Sequence, residues 1–127
     1  MSTRAVHHIA LRCADVERTA SFYEEVVGLK RDSALNDERG LRAIWLSAGS
    51  TILMCERREA EEPSASEGDM NLVAFAVDVN DWSELERTLR ARDVVLDGAS
   101  DFTIYVRDPD GRRVGLSSFP ERRPRPN

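Results

Sequence analysis

Residues 6–13, Val-His-His-Ile-Ala-Leu-Arg-Cys, and residues 71–77, Asn-Leu-Val-Ala-Phe-Ala-Val, decide the fold. Each is a short, β-prone apolar stretch with polar flanks and reads as a strand. Each is followed by an aspartate, Asp15 or Asp81, and then by a segment with helical apolar spacing. A pattern that returns at this distance implies two copies of one supersecondary unit. Where the first copy offers His8 the second offers Leu72, and that difference governs the functional reading.

Outward from the first strand, Asp15 is a suitable N-cap for a helix over 16–27, with Val16, Ala20, Tyr23 and Val27 on one buried stripe and Gly28 as its stop. Strands are predicted near 30–35, 43–46 and 51–55, with a polar turn at 36–40. Residues 57–69 are charged and small and read as a plain linker. In the second copy, Asp81-Trp82-Ser83-Glu84 has the form of a capping box, and Trp82, Leu85 and Leu89 share a helix face. Strands are predicted at 94–96, 102–107 and 113–118, with Asp108-Pro109-Asp110-Gly111 as a tight turn. The order is β-α-β-β-β, twice. This is an α+β chain of two tandem βαβββ modules, forming curved mixed sheets around a cavity with helices outside. Module one spans 5–56 and module two 70–119 of a single 1–127 domain, and the Pro- and Arg-rich tail 120–127 is expected to be disordered.

The 127 residues carry a net charge of −5, which argues against a general nucleic-acid binder. No apolar run approaches the ~20 residues of a membrane span, and no signal peptide is visible, so a cytoplasmic location is expected. Cys13 and Cys55 are too few for a disulfide framework and read as buried reduced thiols.

The chain resembles the vicinal oxygen chelate superfamily, which includes glyoxalase I, extradiol dioxygenases, fosfomycin resistance proteins and bleomycin-binding proteins. The resemblance covers roughly residues 5–119. It rests on His-His-Ile-Ala-Leu at 7–11, Ser-Phe-Tyr-Glu-Glu-Val-Val-Gly-Leu at 21–29 and Tyr-Val-Arg-Asp-Pro-Asp-Gly at 105–111. It implies a fold, not one reaction. It also implies four cavity-facing positions that hold a metal in the metal-dependent members. Placed residue by residue, these are His8, Leu53, Leu72 and Gly115, with Thr51 and Cys55 replacing Leu53 if the register slips by two. A divalent ion takes three or four N, O or S donors. Leu53, Leu72 and Gly115 supply none, so no metal cofactor is expected. If Leu53 faces the cavity, Glu56 faces away and does not rescue the site.

Strand parity extends the cavity wall. Ala10 and Arg12 share the face of His8, Ala74 and Ala76 that of Leu72, Arg113 and Ser117 that of Gly115, and Thr103 and Arg107 that of Tyr105. The resemblance matches Tyr105 to a substrate-contacting tyrosine, and Trp45 is placed at the cavity mouth with its face open. His7 is expected on the opposite, structural face. His8 is a pocket-lining histidine or a general base. The candidate ligand-binding set is therefore His8, Arg12, Trp45, Tyr105, Arg107 and Arg113, arginine-rich and without a carboxylate. Those arginines could equally snorkel to solvent at strand ends. The function expected is metal-independent binding of a small organic ligand, neutral or anionic and possibly aromatic, by a homodimer. The alternatives are a metal-dependent lyase, isomerase or dioxygenase that uses His8 with other donors, and a regulatory subunit with a vestigial pocket.

Overall fold

In the computed structural model, which describes residues 2–65 and 69–125, the chain forms β1 (His8–Cys13), α1 (Val16–Phe22), β2 (Lys30–Asp37), β3 (Gly40–Ala48), β4 (Thr51–Arg57), β5 (Leu72–Ala76), α2 (Trp82–Ala91), β6 (Leu96–Ala99), β7 (Thr103–Arg107) and β8 (Arg113–Ser117). This is the predicted βαβββ order, twice. The chain divides into two compact units, Met1–Ser64 and Ala65–Asn127, and the division falls inside the predicted linker.

In the first unit the sheet order is β1-β4-β3-β2, with β1 parallel to β4 and the other pairs antiparallel. A parallel pair needs a long crossover, which α1, β2 and β3 supply. Asp15 caps α1, its carboxylate accepting from the Arg18 amide at 3.1 Å. The last turn of the predicted 16–27 helix, Tyr23–Val27, is a single π turn. It ends at Gly28, whose φ of 89° suits glycine, and the Gly28 and Leu29 amides both donate to the Tyr23 carbonyl. Val16, Ala20, Tyr23 and Val26 pack with Ile44, Leu46, Leu53 and Cys55 as the core, and both cysteines are buried. The strands run longer than predicted: β2 reaches Asp37 and β3 starts at Gly40, so the turn tightens to two residues.

The second unit repeats the topology as β5-β8-β7-β6, with β5 parallel to β8. Its core is Trp82, Leu89, Ile104, Val106, Val114 and Leu116. The predicted capping box does not form. Asp81 is already helical (φ −94°, ψ −2°) with no side-chain cap, because a 3-10 turn, Val79–Asp81, starts one step earlier. Asp78 caps that turn, accepting from the Asn80 amide at 2.9 Å. The strand predicted at 94–96 begins only at Leu96, since the Val94 amide is spent closing α2 on the Leu89 carbonyl (3.1 Å).

The C-terminal arm departs from the expected disorder over 120–123. Arg123 donates its amide to the Asp101 carbonyl at 2.7 Å, and Arg122 pairs with the Asp101 carboxylate at 2.7 Å. Beneath it the buried Trp82 indole donates to Ser118 Oγ (2.9 Å), which donates to the Glu121 carbonyl (2.7 Å). Parts of the linker and tail predictions, residues 66–68 and 126–127, lie outside the described residues.

Candidate functional site

Register decides which side chains share a face, because paired residues point the same way and neighbours along a strand alternate. In the first unit His8, Ala10 and Arg12 pair with Ile52, Met54 and Glu56. Those in turn pair with Ser47, Trp45 and Ala43 of β3. The His8 face therefore carries Trp45 at its centre, beside Met54. The opposite face carries Ile9, Leu11, Leu53 and Cys55, with Leu53 only 2% exposed.

This corrects two sequence readings. Leu53 does not share the face of His8; it is core. The residue on that face is Met54, since Met54 opposite Ala10 repeats Gly115 opposite Ala74. Glu56 does share the face of His8, four residues from the His8 partner Ile52 and directly beside Arg12, to which it is ion-paired at 2.8 Å. The path from Gly49 to Met54 crosses a turn, where a shift of one residue inverts every side chain. His7 is also reassigned. It precedes β1, is exposed, and its Nδ1 lies 2.9 Å from His8 Nδ1 with the rings edge to face.

In the second unit Leu72, Ala74 and Ala76 pair with Arg113, Gly115 and Ser117, and these with Arg107, Tyr105 and Thr103. Tyr105, Arg107 and Arg113 thus share one face, as parity predicted. The Arg113 guanidinium lies over the Tyr105 ring, 3.9 Å from its centroid. Arg113 Nε donates to Asp97 Oδ2 at 2.9 Å, and Arg107 Nη2 pairs with the same oxygen at 2.7 Å. Arg107 Nη1 donates to the carbonyls of Asp69 and Gly111, both at 3.2 Å. Both arginine side chains are 12% exposed, so neither snorkels freely into solvent.

The expectation that no carboxylate accompanies the arginines is overturned by Asp97. The strand expected at 94–96 stops one residue short of Asp97, which lies within β6 (Leu96–Ala99). In the first unit Glu56 and Glu62 accompany Arg12, at 2.8 and 3.3 Å. The six candidate residues therefore fall into two groups: His8, Arg12 and Trp45 on the first unit, and Tyr105, Arg107 and Arg113 on the second.

The donor chemistry of the four family positions is a direct test for a metal. As the register places them, they are an imidazole (His8), a thioether (Met54), an isobutyl group (Leu72) and a glycine (Gly115). The thioether is a soft, neutral ligand, and the last two donate nothing. Space at Gly115 is also taken: a Cβ there would meet Ala74 Cβ at 3.1 Å and Leu72 Cδ1 at 3.2 Å. Among the described residues no group of three or more His, Cys, Asp or Glu is placed to hold a metal ion. The residues present do not fit the metal centre implied by the resemblance.

Trp45 supplies a further polar atom that strand parity alone does not reveal: its Nε1 is buried and, among the described residues, has no hydrogen-bond partner. A recess of about 690 Å³ in the second unit lies away from the Tyr105 face, lined by Trp82, Glu86, Asp101, Arg122 and Arg123. Its Arg122 and Arg123 are paired with Asp101 and Glu86 at 2.7 and 3.6 Å, which leaves those two cations answered. No helix among the described residues is long and apolar enough to cross a membrane.

Comparison with known proteins agrees with the fold described above. The model of the Glyoxalase/Bleomycin resistance protein/Dioxygenase superfamily matches residues 5–116. Virulence protein STM3117 of Salmonella typhimurium is 26% identical over 126 residues, covering 90% of this chain and 83% of that protein. Glyoxalase I of Leishmania major, described as trypanothione-dependent, superposes with a TM-score of 0.72 at 26% identity, covering 91% of this chain and 86% of that one. A mutant of the fosfomycin resistance protein FosX from Listeria monocytogenes, complexed with Mn(II) and 1S,2S-dihydroxypropylphosphonic acid, superposes at 0.75 with 18% identity, covering 90% and 91%.

Proposed function

Because the chain belongs to the Glyoxalase/Bleomycin resistance protein/Dioxygenase superfamily, we propose that it uses this fold to bind a small organic ligand, neutral or anionic, without a catalytic metal. The observation that carries the reading is the donor chemistry at the family positions of each unit: His8 and Met54 in the first offer one imidazole and one thioether, and Leu72 and Gly115 in the second offer nothing, whereas an ion needs three or four good ligands. The side chains around those positions suit organic recognition. Trp45 in the first unit and Tyr105 in the second offer aromatic surface, and Arg113 of the second unit offers oriented donors. Leu72 is 37% exposed and adds apolar contact area.

A homodimer is part of the proposal. Each sheet ends on edge strands, β1 and β2 in the first unit and β5 and β6 in the second, and unpaired edges are commonly covered by association. Light scattering at micromolar concentration should give twice the chain mass. A thermal-shift screen of neutral, anionic and cationic aromatic compounds, run in chelator, tests the binding reading. Ligands that bind the folded state raise the melting temperature by linkage. At least one neutral or anionic compound should do so in chelator, and a response only after a divalent ion is added would contradict the proposal.

A further inference from the structure

In the second unit the Arg113 guanidinium is held in place with its outer donor edge unspent. Arg113 donates through Nε alone, to Asp97, and among the described residues its two Nη atoms make no hydrogen bond. The group is not loose. It is stacked on Tyr105 at 3.9 Å and tethered at Nε at 2.9 Å, and its side chain is 12% exposed. Arg107 differs, since both of its Nη atoms are engaged, by Asp97 on one side and by the Asp69 and Gly111 carbonyls on the other. Among the described residues Asp97 answers these two cations with one carboxylate, which leaves one positive charge unbalanced there. The Asp69 carboxylate is turned elsewhere and accepts from the Asn71 amide at 2.9 Å.

We propose that the Nη1–Nη2 edge of Arg113 is a pre-oriented fork for the carboxylate of a monoanionic organic acid. The inference rests on the small-molecule reading above and narrows it to one class. A planar guanidinium matches a carboxylate through two parallel N–H···O bonds, and a group already held in position loses little entropy in forming them. The single unbalanced charge favours a monoanion over a dianion, because a second negative charge would face Asp97 uncompensated. Stacking also constrains the ligand. Arg113 covers one face of Tyr105, so an aromatic acid meets the edge or the hydroxyl of that ring and not that face. Leu72, paired with Arg113 across β5 and β8, lies beside the fork and offers apolar contact to the body of the acid.

The test uses the full chain, with benzoate, benzamide and phenylphosphonate as probes, measured by calorimetry in chelator at fixed ionic strength. Benzoate should bind at least about tenfold more tightly than its neutral isostere benzamide, and more tightly than the phenylphosphonate dianion. Arg113→Lys keeps the charge but removes the fork, and should bring the benzoate-to-benzamide ratio below about three. Tyr105→Leu keeps the fork but frees its plane, and should weaken benzoate several-fold. Nitrogen-15 spectra of arginine side chains should show the Arg113 signal, and not that of Arg107, moving most on adding benzoate. Equal binding of benzoate and benzamide, an unchanged ratio in Arg113→Lys, or a preference for phenylphosphonate would each overturn the fork and leave metal-free binding standing. No binding of any probe would also overturn it. The broader reading fails separately, if the thermal-shift screen responds only with a divalent ion.

Discussion

Trp45, opposite Met54, and Tyr105, opposite Gly115, occupy the same place in the two units, and their surroundings differ in kind. Around Trp45 stand Ile52, Met54, Glu56, Ser47 and Ala43. At the corresponding places around Tyr105 stand Arg113, Gly115, Ser117, Arg107 and Thr103. Trp45 has Ile52, Met54 and Ala43 beside it and, among the described residues, a buried indole N–H unanswered; Tyr105 lies under a guanidinium. On the opposite faces the units agree, with Leu53 and Val114 equivalent and both buried. The repeated scaffold is preserved where it packs and diverges on the other face, which is the pattern expected if packing and the proposed binding are served by alternate residues of the same strands.

The sharpest way to break this comparison is to exchange faces. Leu53→Ala should cost about 2–5 kcal/mol in urea unfolding, because the side chain is fully buried against α1 and β3. Its neighbour Met54→Ala should cost about 1 kcal/mol or less, as for a partly exposed residue. Equal losses would mean the faces are wrongly assigned.

In the second unit, Ser118→Ala strips the buried Trp82 indole of its acceptor and cuts the link to the C-terminal arm. It should lower stability by about 1–3 kcal/mol, the usual cost of orphaning a buried donor. Faster proteolysis within residues 119–125 should accompany it, and an unaltered cleavage pattern would mean that the arm is held without this relay.

A smaller effect is expected at Gly115→Ala, where the new methyl group must displace Leu72 or Ala74 slightly. About 1 kcal/mol of destabilisation is predicted, at the low end for overpacking. A stabilised variant would show that the space beside Leu72 is open, and would reopen the question of a donor there.

The gentlest probe is pH. The Asp37 carboxyl is held below its ordinary range, chiefly by the Arg39 amide and then by Arg57, and the Glu59 carboxyl likewise by Arg39. A depressed carboxylate contributes stability above its unfolded pKa, and that contribution is lost as pH falls through the folded value. The first unit should therefore lose this contribution on acidification below about pH 4, the ordinary carboxylate range. Asp37→Asn should flatten that limb slightly in melting curves. A steeper limb in the variant would contradict the sign.

The β-α-β-β-β order was legible because hydrophobic period, the Asp15 cap, and the Gly28 and Asp108–Gly111 turn signals agreed on it. The Tyr105, Arg107 and Arg113 face was legible because all three lie inside strands whose alternation is unbroken. Met54 and Asp97 were not. Reaching Met54 from Gly49 means counting through a turn, and Asp97 lies in a four-residue strand interrupted by Gly98, with φ of 114°. Short strands with bulges carry no alternation to count. The Arg113–Asp97 pair was likewise invisible, since it joins strands 16 residues apart in sequence.

The central proposal is that the donor chemistry of His8 and Met54 in the first unit and of Leu72 and Gly115 in the second leaves this fold without a metal centre, and elemental analysis tests it most directly. The chain, produced without a polyhistidine tag in medium supplemented with Mn, Fe, Ni and Zn, should carry far less than one equivalent of any of them. It should also show no metal-dependent rise in melting temperature. A stoichiometry near one metal per chain that is lost in His8→Ala would contradict the account.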